Sequence, residues 1–284
     1  MKKQHWKALE KAYLCIIFSF FYIPIAVMAI FSFNQSKSRT VFTGFTFQWY
    51  VDLFRNQRIL DALWLSLGLA LTAATIATVV GTMAAIGING MNRTQKAVVN
   101  NISYLPVVNP EIITGVSLML LFVVVKQGLF NINQWLEQAG VGFRIPEEIF
   151  GLPTLLIAHV TFCLPYVIFN VSPKLRQMDI RLYEAALDLG CNPKQAFFKV
   201  VLPEIMPAVL SAFLISLTYS IDDFIISYFS SGNMQTLPIS IYSMTRRKVS
   251  PEIYALSTVM FLVILSIILI TNAVDSKKYK ENKK

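Results

Sequence analysis

The sequence predicts an all-α integral membrane protein with six transmembrane helices. Of its 284 residues, 55% are hydrophobic and only 14% are charged, and the mean hydropathy is +0.56. Six apolar runs are long enough to cross a bilayer, which requires about 20 residues, and none contains Lys or Arg. The predicted spans are 13–33, 60–88, 109–125, 152–171, 205–229 and 254–274, all within a single domain over 1–284.

The distribution of basic residues predicts the orientation of these spans. Sixteen of the 25 Lys and Arg residues fall on the side that holds both termini, the second predicted loop and the loop over 174–203. Cytoplasmic loops of membrane proteins carry an excess of Lys and Arg, so we expect both termini to be cytoplasmic. The net charge of +9 is therefore a topology signal, and we expect the bilayer as a partner and no nucleic acid.

The loop over 174–203 predicts a short helix with a small-residue face. Asp179 suits the N-cap and Gly190 suits the position after the C-cap, which gives a helix over 180–189. Its apolar residues share one stripe, so the alanines would let a partner surface approach closely. Asn192-Pro193 then starts a second helix. The alternative is a helix hairpin that packs on its own protein. The stripe consists of Leu182, Ala185, Ala186 and Leu189.

The third span and the following loop are irregular. Pro106 and Asn109-Pro110 interrupt a long apolar stretch, so a helix restarts near Pro110. Two compatible interpretations stay open: a broken helix that lines a cavity, or a short helix along the inner face of the membrane. The long outer loop over 126–150 predicts a short amphipathic helix that carries Trp135 at the headgroup level.

Three of the carboxylates that lie within the predicted spans are those of Glu111, Asp222 and Asp223. Ionisable groups in a membrane are costly and are candidates for function, and no Lys or Arg lies in the spans to pair with them. A transported cation is one neutralising partner, and a partner chain or backbone groups are the alternative. Asp223 shares a polar stripe with four serines, which we interpret as the lining of a water-filled path. We therefore expect Asp223→Asn to impair transport more than Asp222→Asn. The serines of the stripe are Ser216, Ser220, Ser227 and Ser230.

Aromatic residues extend this cation hypothesis. Tyr219 lies in the span with the two aspartates, and its ring face could attract an ammonium group. Trp49, in the first outer loop, fits either a substrate contact or an anchor at the membrane interface. His159 in the fourth span is expected to be a hydrogen-bonded packing residue.

No residue pattern predicts catalysis. The sequence has no nucleophile–base pair, and no glycine is followed by lysine, so it has no Walker A motif. Cys15, Cys163 and Cys191 have no metal or disulfide spacing. We expect no catalytic residue, no metal and no cofactor, and we expect another protein to supply any energy.

Several stretches together resemble the ABC importer permeases for polyamines. The spacing of Glu184-Ala185-Ala186, Gly190 and Leu202-Pro203 is similar to the EAA loop, which docks on an ATPase. The double Asp and the Tyr-Ser-Met segment resemble the second of the two permeases in spermidine/putrescine importers. The other similar stretches are Phe45-Thr-Phe-Gln-Trp49-Tyr50, Asn109-Pro-Glu111, His159-Val-Thr-Phe-Cys-Leu-Pro165, Ser220-Ile-Asp222-Asp223, and Ile241-Tyr-Ser-Met244 followed by Val249-Ser-Pro251-Glu252.

This resemblance implies a type I importer permease (MetI-like) fold in the cytoplasmic membrane of a bacterium. It implies a heterodimer with a second permease, two copies of an ABC ATPase, an extracytoplasmic binding protein and a polyamine substrate. The Glu at 111 and the long outer loop depart from the pattern of the family. The alternatives are a permease for another cationic solute or a metal complex, and a membrane scaffold or channel without coupled transport.

Overall fold

The computed structural model describes residues 2–36, 41–247 and 251–281, and this part of the chain is predominantly helical, which confirms the all-α prediction. Val249, which belongs to one of the similar stretches, lies outside the described residues. A π-helical turn over Phe197–Val201 joins the helix Pro193–Ala196 to the helix Leu202–Asp222. The α-helices are α1 (Lys2–Phe31), α2 (Gln48–Arg55), α3 (Gln57–Gly90), α4 (Arg93–Val108), α5 (Glu111–Gln138), α6 (Leu152–Gln177), α7 (Ile180–Asp188), α8 (Pro193–Ala196), α9 (Leu202–Asp222), α10 (Ile225–Ser230), α11 (Leu237–Arg247) and α12 (Pro251–Glu281).

Five helical segments in the described residues are long and apolar enough to cross a membrane. They are Lys11–Phe31, Gln57–Gly90, Glu111–Gln138, Leu152–Gln177 and the continuous helical run Pro193–Asp222. A shorter apolar helix over Pro251–Ser266 accounts for the region of the sixth predicted span. Together they form the helical framework that the apolar runs predict.

Two helix limits differ from those that the sequence suggests. The helix α5 continues to Gln138, so the residues expected to form a separate amphipathic helix are its last turns. The helix α9 ends at Asp222, whereas the predicted span continues to residue 229. The interruption near Pro110 is present, because α4 ends at Val108 and α5 begins at Glu111. Helix breaks are thus set by local capping as well as by hydropathy.

Residues 61–240 form one compact unit built around α6. The inner face of α6 packs against α9 and α10, and α4 and α5 also contact it. Gly81 allows α3 to approach α6 closely, since a Cβ atom there would lie 2.7 Å from the Val167 side chain. The core side chains of this unit are fully or nearly buried and include Ala77, Phe122, Leu155, Ala158, Val167, Val171, Ile205, Ala212 and Ile226.

Residues 1–60 and 241–284 form a second compact unit, in which α12 contacts α1 and α2 among the described residues. Asn34 organises the chain that follows α1: its side chain binds the backbone of Val41 and Thr43 at 2.9 Å. The indole N–H of Trp49 donates to the Asn34 carbonyl at 2.7 Å, and the Trp49 side chain is buried. This hydrogen bond orients α2 with respect to the end of α1.

Candidate functional site

A helix break separates α9 from α10 at the two aspartates. Asp223 has an extended backbone (φ −64°, ψ 116°), so the α-helix ends at Asp222 and a new one begins at Ile225. The Asp223 carboxylate accepts the backbone N–H groups of Ile226 at 3.2 Å and Ser227 at 2.7 Å. A carboxylate that accepts the first free N–H groups of a helix caps it. Asp223 therefore caps α10 with its side chain.

His159 on α6 connects the two sides of this break. Its Nδ1 atom lies 2.7 Å from the Ser220 hydroxyl on α9, and its Nε2 atom lies 2.9 Å from the Ser227 hydroxyl on α10. Nε2 is also 3.6 Å from the Asp223 carboxylate, and all four side chains are buried. His159 is thus the hydrogen-bonded packing residue that the sequence suggests, and its hydrogen bonds hold α9 and α10 at the break.

The direction of these hydrogen bonds follows from the inventory of donors. When Asp223 is ionised, its carboxylate has no proton to donate and accepts a hydrogen bond from the Ser227 hydroxyl. The Ser227 oxygen then accepts from Nε2–H of His159, which leaves Nδ1 as an acceptor for the Ser220 hydroxyl. Each donated proton in this series of hydrogen bonds has an acceptor when His159 is neutral with its proton on Nε2.

The serine stripe lies in the contact between helices. The Cys163 thiol donates to the Ser216 carbonyl at 3.5 Å, and the Thr154 hydroxyl donates to the Ser230 carbonyl at 2.8 Å. The stripe is buried against α6 over its whole length, since the exposed fraction of Asp223 is 7% and that of each of the four serines is lower still. Small residues with interhelical hydrogen bonds are typical of helix packing in membranes. The stripe thus forms part of the interior of this unit.

A different set of residues forms an exposed acidic and aromatic face. Asp222 is exposed, in contrast to Asp223, and Tyr219 lies one helical turn before it on α9 and is 41% exposed. The rings of Tyr219 and Tyr166 are 4.6 Å apart, centroid to centroid. Glu111, exposed in the first turn of α5, is close enough for Coulombic interaction with both Asp222 and Tyr166. This face brings two carboxylates and two tyrosines together.

Sequence reasoning missed Tyr166, a member of this face, and Phe162, a buried residue beside it. Phe162 and Tyr166, one turn apart on α6, both contact the Tyr219 ring, at 6.3 and 4.6 Å. Their spacing in the stretch that begins at His159 is the signal that could have identified them, because it places both on the face of α6 that carries His159. Trp49 belongs to the other compact unit, and its suggested contact with substrate remains a prediction.

An open cavity of about 510 Å³ lies beyond the break. The Tyr228 and Phe229 rings of α10 line it together with the side chains of Asn233 and Gln235, and none of its lining residues is charged. Tyr228 is 55% exposed. The cavity offers aromatic faces and neutral polar atoms, so its surface could contact a ligand without holding a charge tightly.

The loop after α6 forms the predicted helix with both predicted caps, and α7 ends at Asp188, one residue before the predicted limit. The Asp179 carboxylate accepts the N–H of Arg181 at 3.0 Å, which caps the start of α7. Gly190 has φ +87°, a left-handed conformation that favours glycine. The Gly190 N–H donates to the Leu187 carbonyl at 2.9 Å, and the Cys191 N–H donates to the Ala186 carbonyl at 3.0 Å. These two hydrogen bonds constitute a Schellman C-cap.

The apolar stripe of α7 is mostly uncovered. Ala186 is buried, whereas Leu182 is 48% exposed and Leu189 is 87% exposed. Glu184 and Ala185 are exposed as well, and Leu202 and Pro203 lie in the first turn of α9, half-buried and exposed, respectively. An exposed apolar helix face outside the spans is a surface available to a partner.

Hydrogen bonds, an ion pair and apolar packing hold this loop and the helices that flank it together. The side chains of Asn192 and Gln195 form a capping box at the start of α8. The Lys174 ammonium, near the end of α6, binds the Glu204 carboxylate on α9 at 2.7 Å. Tyr183 and Phe197 pack against the core of the unit. Movement of α7 would therefore be transmitted to α6 and α9.

The loop after α5 is folded back on its helix. The Asn133 amide binds the backbone of Ile145 in both directions, at 2.8 and 2.9 Å, and donates to the Glu147 carboxylate at 3.0 Å. The pKa of Glu147 is lowered by this hydrogen bond and by the Arg144 guanidinium. The loop thus has a defined conformation near the extension of α5.

The comparisons with known proteins agree on one family. A family profile described as binding-protein-dependent transport system inner membrane component matches residues 77–277. The putrescine transport system permease protein PotI of Escherichia coli K12 is 39% identical over 251 residues, which cover 87% of this chain and 83% of PotI. The spermidine/putrescine transport system permease protein PotC of Haemophilus influenzae is 34% identical over 270 residues, which cover 95% of this chain and 97% of PotC.

A solved structure shares the fold. It is a chain of the bacterial alginate ABC transporter in complex with an alginate pentasaccharide-bound periplasmic protein. The superposition gives a TM-score of 0.66 at 19% identity and covers 95% of this chain and 94% of that chain. At this identity the similarity supports the arrangement of helices alone.

Proposed function

Since the chain belongs to the family of binding-protein-dependent transport system inner membrane components, we propose that it transports polyamines as one permease subunit of an ATP-driven importer. Members of this family are transport permeases of the inner membrane and not enzymes, so the chain contributes a pore. The names of the relatives PotI and PotC, which are permeases of putrescine and spermidine/putrescine systems, support the polyamine substrate.

The observation that carries the substrate proposal is the exposed face around Asp222. A polyamine presents ammonium groups separated by short methylene chains, and each ammonium is attracted by a carboxylate and by an aromatic face. Asp222 and Glu111 supply the negative charge, and Tyr219 and Tyr166 supply the rings. Asp223 and Ser220 would act indirectly, because their side chains are buried and hold the helix break that presents Asp222.

The exposed face of α7 is the proposed dock for an ABC ATPase. Glu184, Ala185 and Ala186 would face the ATPase, and Gly190 ends the helix there. The ion pair between Lys174 and Glu204 and the apolar packing of the loop would carry the movement into α6 and α9. In alternating access, this movement would rock the two permeases and open the path to the other side.

The working complex that we propose has four kinds of subunit. A second permease would pair with this chain, two copies of the ATPase would bind the cytoplasmic loops, and an extracytoplasmic binding protein would deliver the polyamine. The charge bias of the sequence supports an orientation with both termini and α7 in the cytoplasm. A weak site in the path suits this cycle, since a transported molecule has to leave it again.

Uptake by the reconstituted complex tests this function. The four kinds of subunit are placed in proteoliposomes, and ATP-dependent uptake of radiolabelled putrescine and spermidine is measured. We expect unlabelled diamines to compete and 1,4-butanediol, a neutral analogue of putrescine with the same chain length, not to compete. ATP-dependent uptake of another cation or of a metal complex, without uptake of any polyamine, would refute the substrate proposal and leave the permease assignment in place.

The orientation has a separate test. In a variant without native cysteines, a cysteine at Lys194 should react with a membrane-impermeant maleimide only in inverted vesicles. A cysteine at Gln138, in the last turn of α5, should react only in intact cells or right-side-out vesicles. The opposite pattern would show that α7 lies outside the cytoplasm, where no ATPase could dock on it.

A further inference from the structure

A narrow cleft lies where α3 ends and α4 begins, beside the last turns of α6. Its polar lining comes from all three helices: Asn89 from α3, Lys96 and Asn100 from α4, and Ser172 and Arg176 from α6. None of the residues that line the cleft is acidic. The cleft therefore concentrates two positive charges and several hydrogen-bond donors in one place.

These groups lack an anionic partner within the part of the chain that the structure describes. The Lys96 ammonium contacts only Asn89, at 3.0 Å from its carbonyl and 3.5 Å from its side-chain oxygen. Neither Lys96 nor Arg176 forms an ion pair with a described residue, and the Ser172 hydroxyl oxygen is buried without a hydrogen-bond partner there. Buried polar groups normally have partners, so this hydroxyl is free to bind a water molecule or a ligand group.

The chemistry of the cleft selects a phosphate group. Arg binds phosphate through two parallel N–H groups and Lys binds it as a point charge, while Ser and Asn complete the hydrogen bonds. From this cleft we propose that the permease binds the phosphate headgroup of an anionic phospholipid between α3, α4 and α6. This proposal rests on the orientation given above and does not depend on the transported substrate.

The position of the cleft favours a lipid as the source of the phosphate. Gly90 ends the apolar helix α3, and Arg176 lies in the last turn of α6, just before the loop that carries α7. Both helix ends lie at the proposed cytoplasmic boundary of the membrane. Anionic lipids give this leaflet its negative surface potential, and basic pockets between transmembrane helices bind their headgroups. A bound lipid would join α4 to α6 next to the loop that carries α7.

Native mass spectrometry of the whole importer complex tests the proposal. The complex is purified from nanodiscs that contain phosphatidylglycerol and phosphatidylcholine, and the retained lipids are counted for each variant. We expect the double variant Lys96→Gln/Arg176→Gln to retain at least about tenfold less phosphatidylglycerol, because hydrogen bonds to charged groups are lost. Arg93→Gln is the matched control, since Arg93 is exposed at the start of α4 and does not line the cleft. Lys96→Arg should retain the lipid.

The remaining outcomes each contradict the proposal. Equal retention by the double variant, or equal loss in Arg93→Gln, would show that the cleft is not a specific site. Displacement of the lipid by millimolar inorganic phosphate would indicate a site for free phosphate. Loss of the ATPases, with the lipid retained, would show that the two cations pair with acidic residues of the ATPase. If the double variant does not assemble, Arg176→Gln gives the same comparison, because Arg176 is exposed. Polyamine uptake, measured in parallel, reports separately on the proposed transport function.

Discussion

The helix break in α9–α10 and the proposed coupling loop, residues 174–203 around α7, depart from the usual distribution of side chains in opposite ways. At the break, an aspartate, a histidine and several serines are buried in the middle of a helix contact. In α7, two leucines of the apolar stripe are exposed. Apart from the Ser216 hydroxyl, the first region satisfies its polar groups internally. The second leaves its apolar groups without a partner among the described residues.

This difference shows which region satisfies its side chains by contacts within a single chain. A buried polar group is costly unless it is hydrogen-bonded, and Asp223 and His159 form their hydrogen bonds with residues of α9 and α10. Burial of a leucine side chain contributes roughly 1.5–3 kcal/mol, so the exposed stripe of α7 represents free energy that a partner can gain on docking. Substitutions at the break should thus act on the folded permease, and substitutions in α7 should act on its coupling.

The largest effect is expected for Asp223→Ala. The substitution leaves the buried N–H groups of Ile226 and Ser227 without an acceptor, and each such group costs about 1–3 kcal/mol. It also removes the acceptor for the Ser227 hydroxyl. We expect a lower yield of assembled complex and a lower midpoint of thermal unfolding in detergent, both measured against the parental complex.

The control for this prediction is Asp223→Asn. Asparagine is as good a helix cap as aspartate, so this variant should assemble better than Asp223→Ala. A parental unfolding midpoint for Asp223→Ala would contradict the structural role of the carboxylate. That result would instead favour the sequence-based hypothesis that Asp223 lines the transport path.

The next effect should be that of Asp222→Asn, on transport rather than on assembly. The side chain of Asp222 is exposed, so the loss of its charge leaves the packing intact. Loss of a hydrogen bond between a carboxylate and an ammonium costs roughly 1.5–3 kcal/mol, or about 10- to 150-fold in apparent affinity. Uptake of radiolabelled spermidine at matched complex levels measures this change as a higher KM.

The comparison with Asp223→Asn sharpens this prediction. Per assembled complex, we expect the larger increase in KM for Asp222→Asn, which reverses the order that the serine stripe suggests. If Asp222→Asn transports at the parental rate over the whole concentration range, the exposed acidic face does not contact the polyamine.

A smaller effect is expected for Gly190→Val in the coupling loop. The left-handed conformation of Gly190 costs a residue with a side chain about 1–2 kcal/mol, and a β-branched residue fits it least well. We expect about tenfold less uptake per ATP hydrolysed while the permease stays in the membrane. Gly190→Asn is the control, since asparagine tolerates this conformation. Normal coupling in Gly190→Val would contradict the assignment of the dock.

The coupling loop could be predicted almost completely from the sequence because its structure is local. The side-chain cap at Asp179, the left-handed Gly190 and the capping box at Asn192 depend on residues within three or four positions. The hydropathy of the apolar runs likewise indicated the long helices, because the bilayer sets their length.

The helix break could not be fully predicted in this way because part of its cause is distant in sequence. The predicted span continues to residue 229. The Asp223 carboxylate satisfies the interrupted backbone locally, but the Ser220 and Ser227 hydroxyls are satisfied by His159, some 60 residues earlier. A periodic stripe has the same appearance whether it faces water or a neighbouring helix. For the same reason, the pattern did not distinguish buried Asp223 from exposed Asp222, or identify Tyr166 as a neighbour of Tyr219.

The smallest effect should come from the ion pair between Lys174 and Glu204. Both side chains are partly exposed, so the pair stabilises the loop by only about 0.2–1 kcal/mol. Lys174→Glu and Glu204→Lys each place like charges together and should lower uptake per ATP hydrolysed by up to about fivefold. The double exchange restores the pair with its polarity reversed and should recover most of the coupling. If the double variant is as poor as the single variants, each charge acts through a different partner, and the movement of α7 reaches α6 and α9 through the apolar packing of Tyr183 and Phe197 alone.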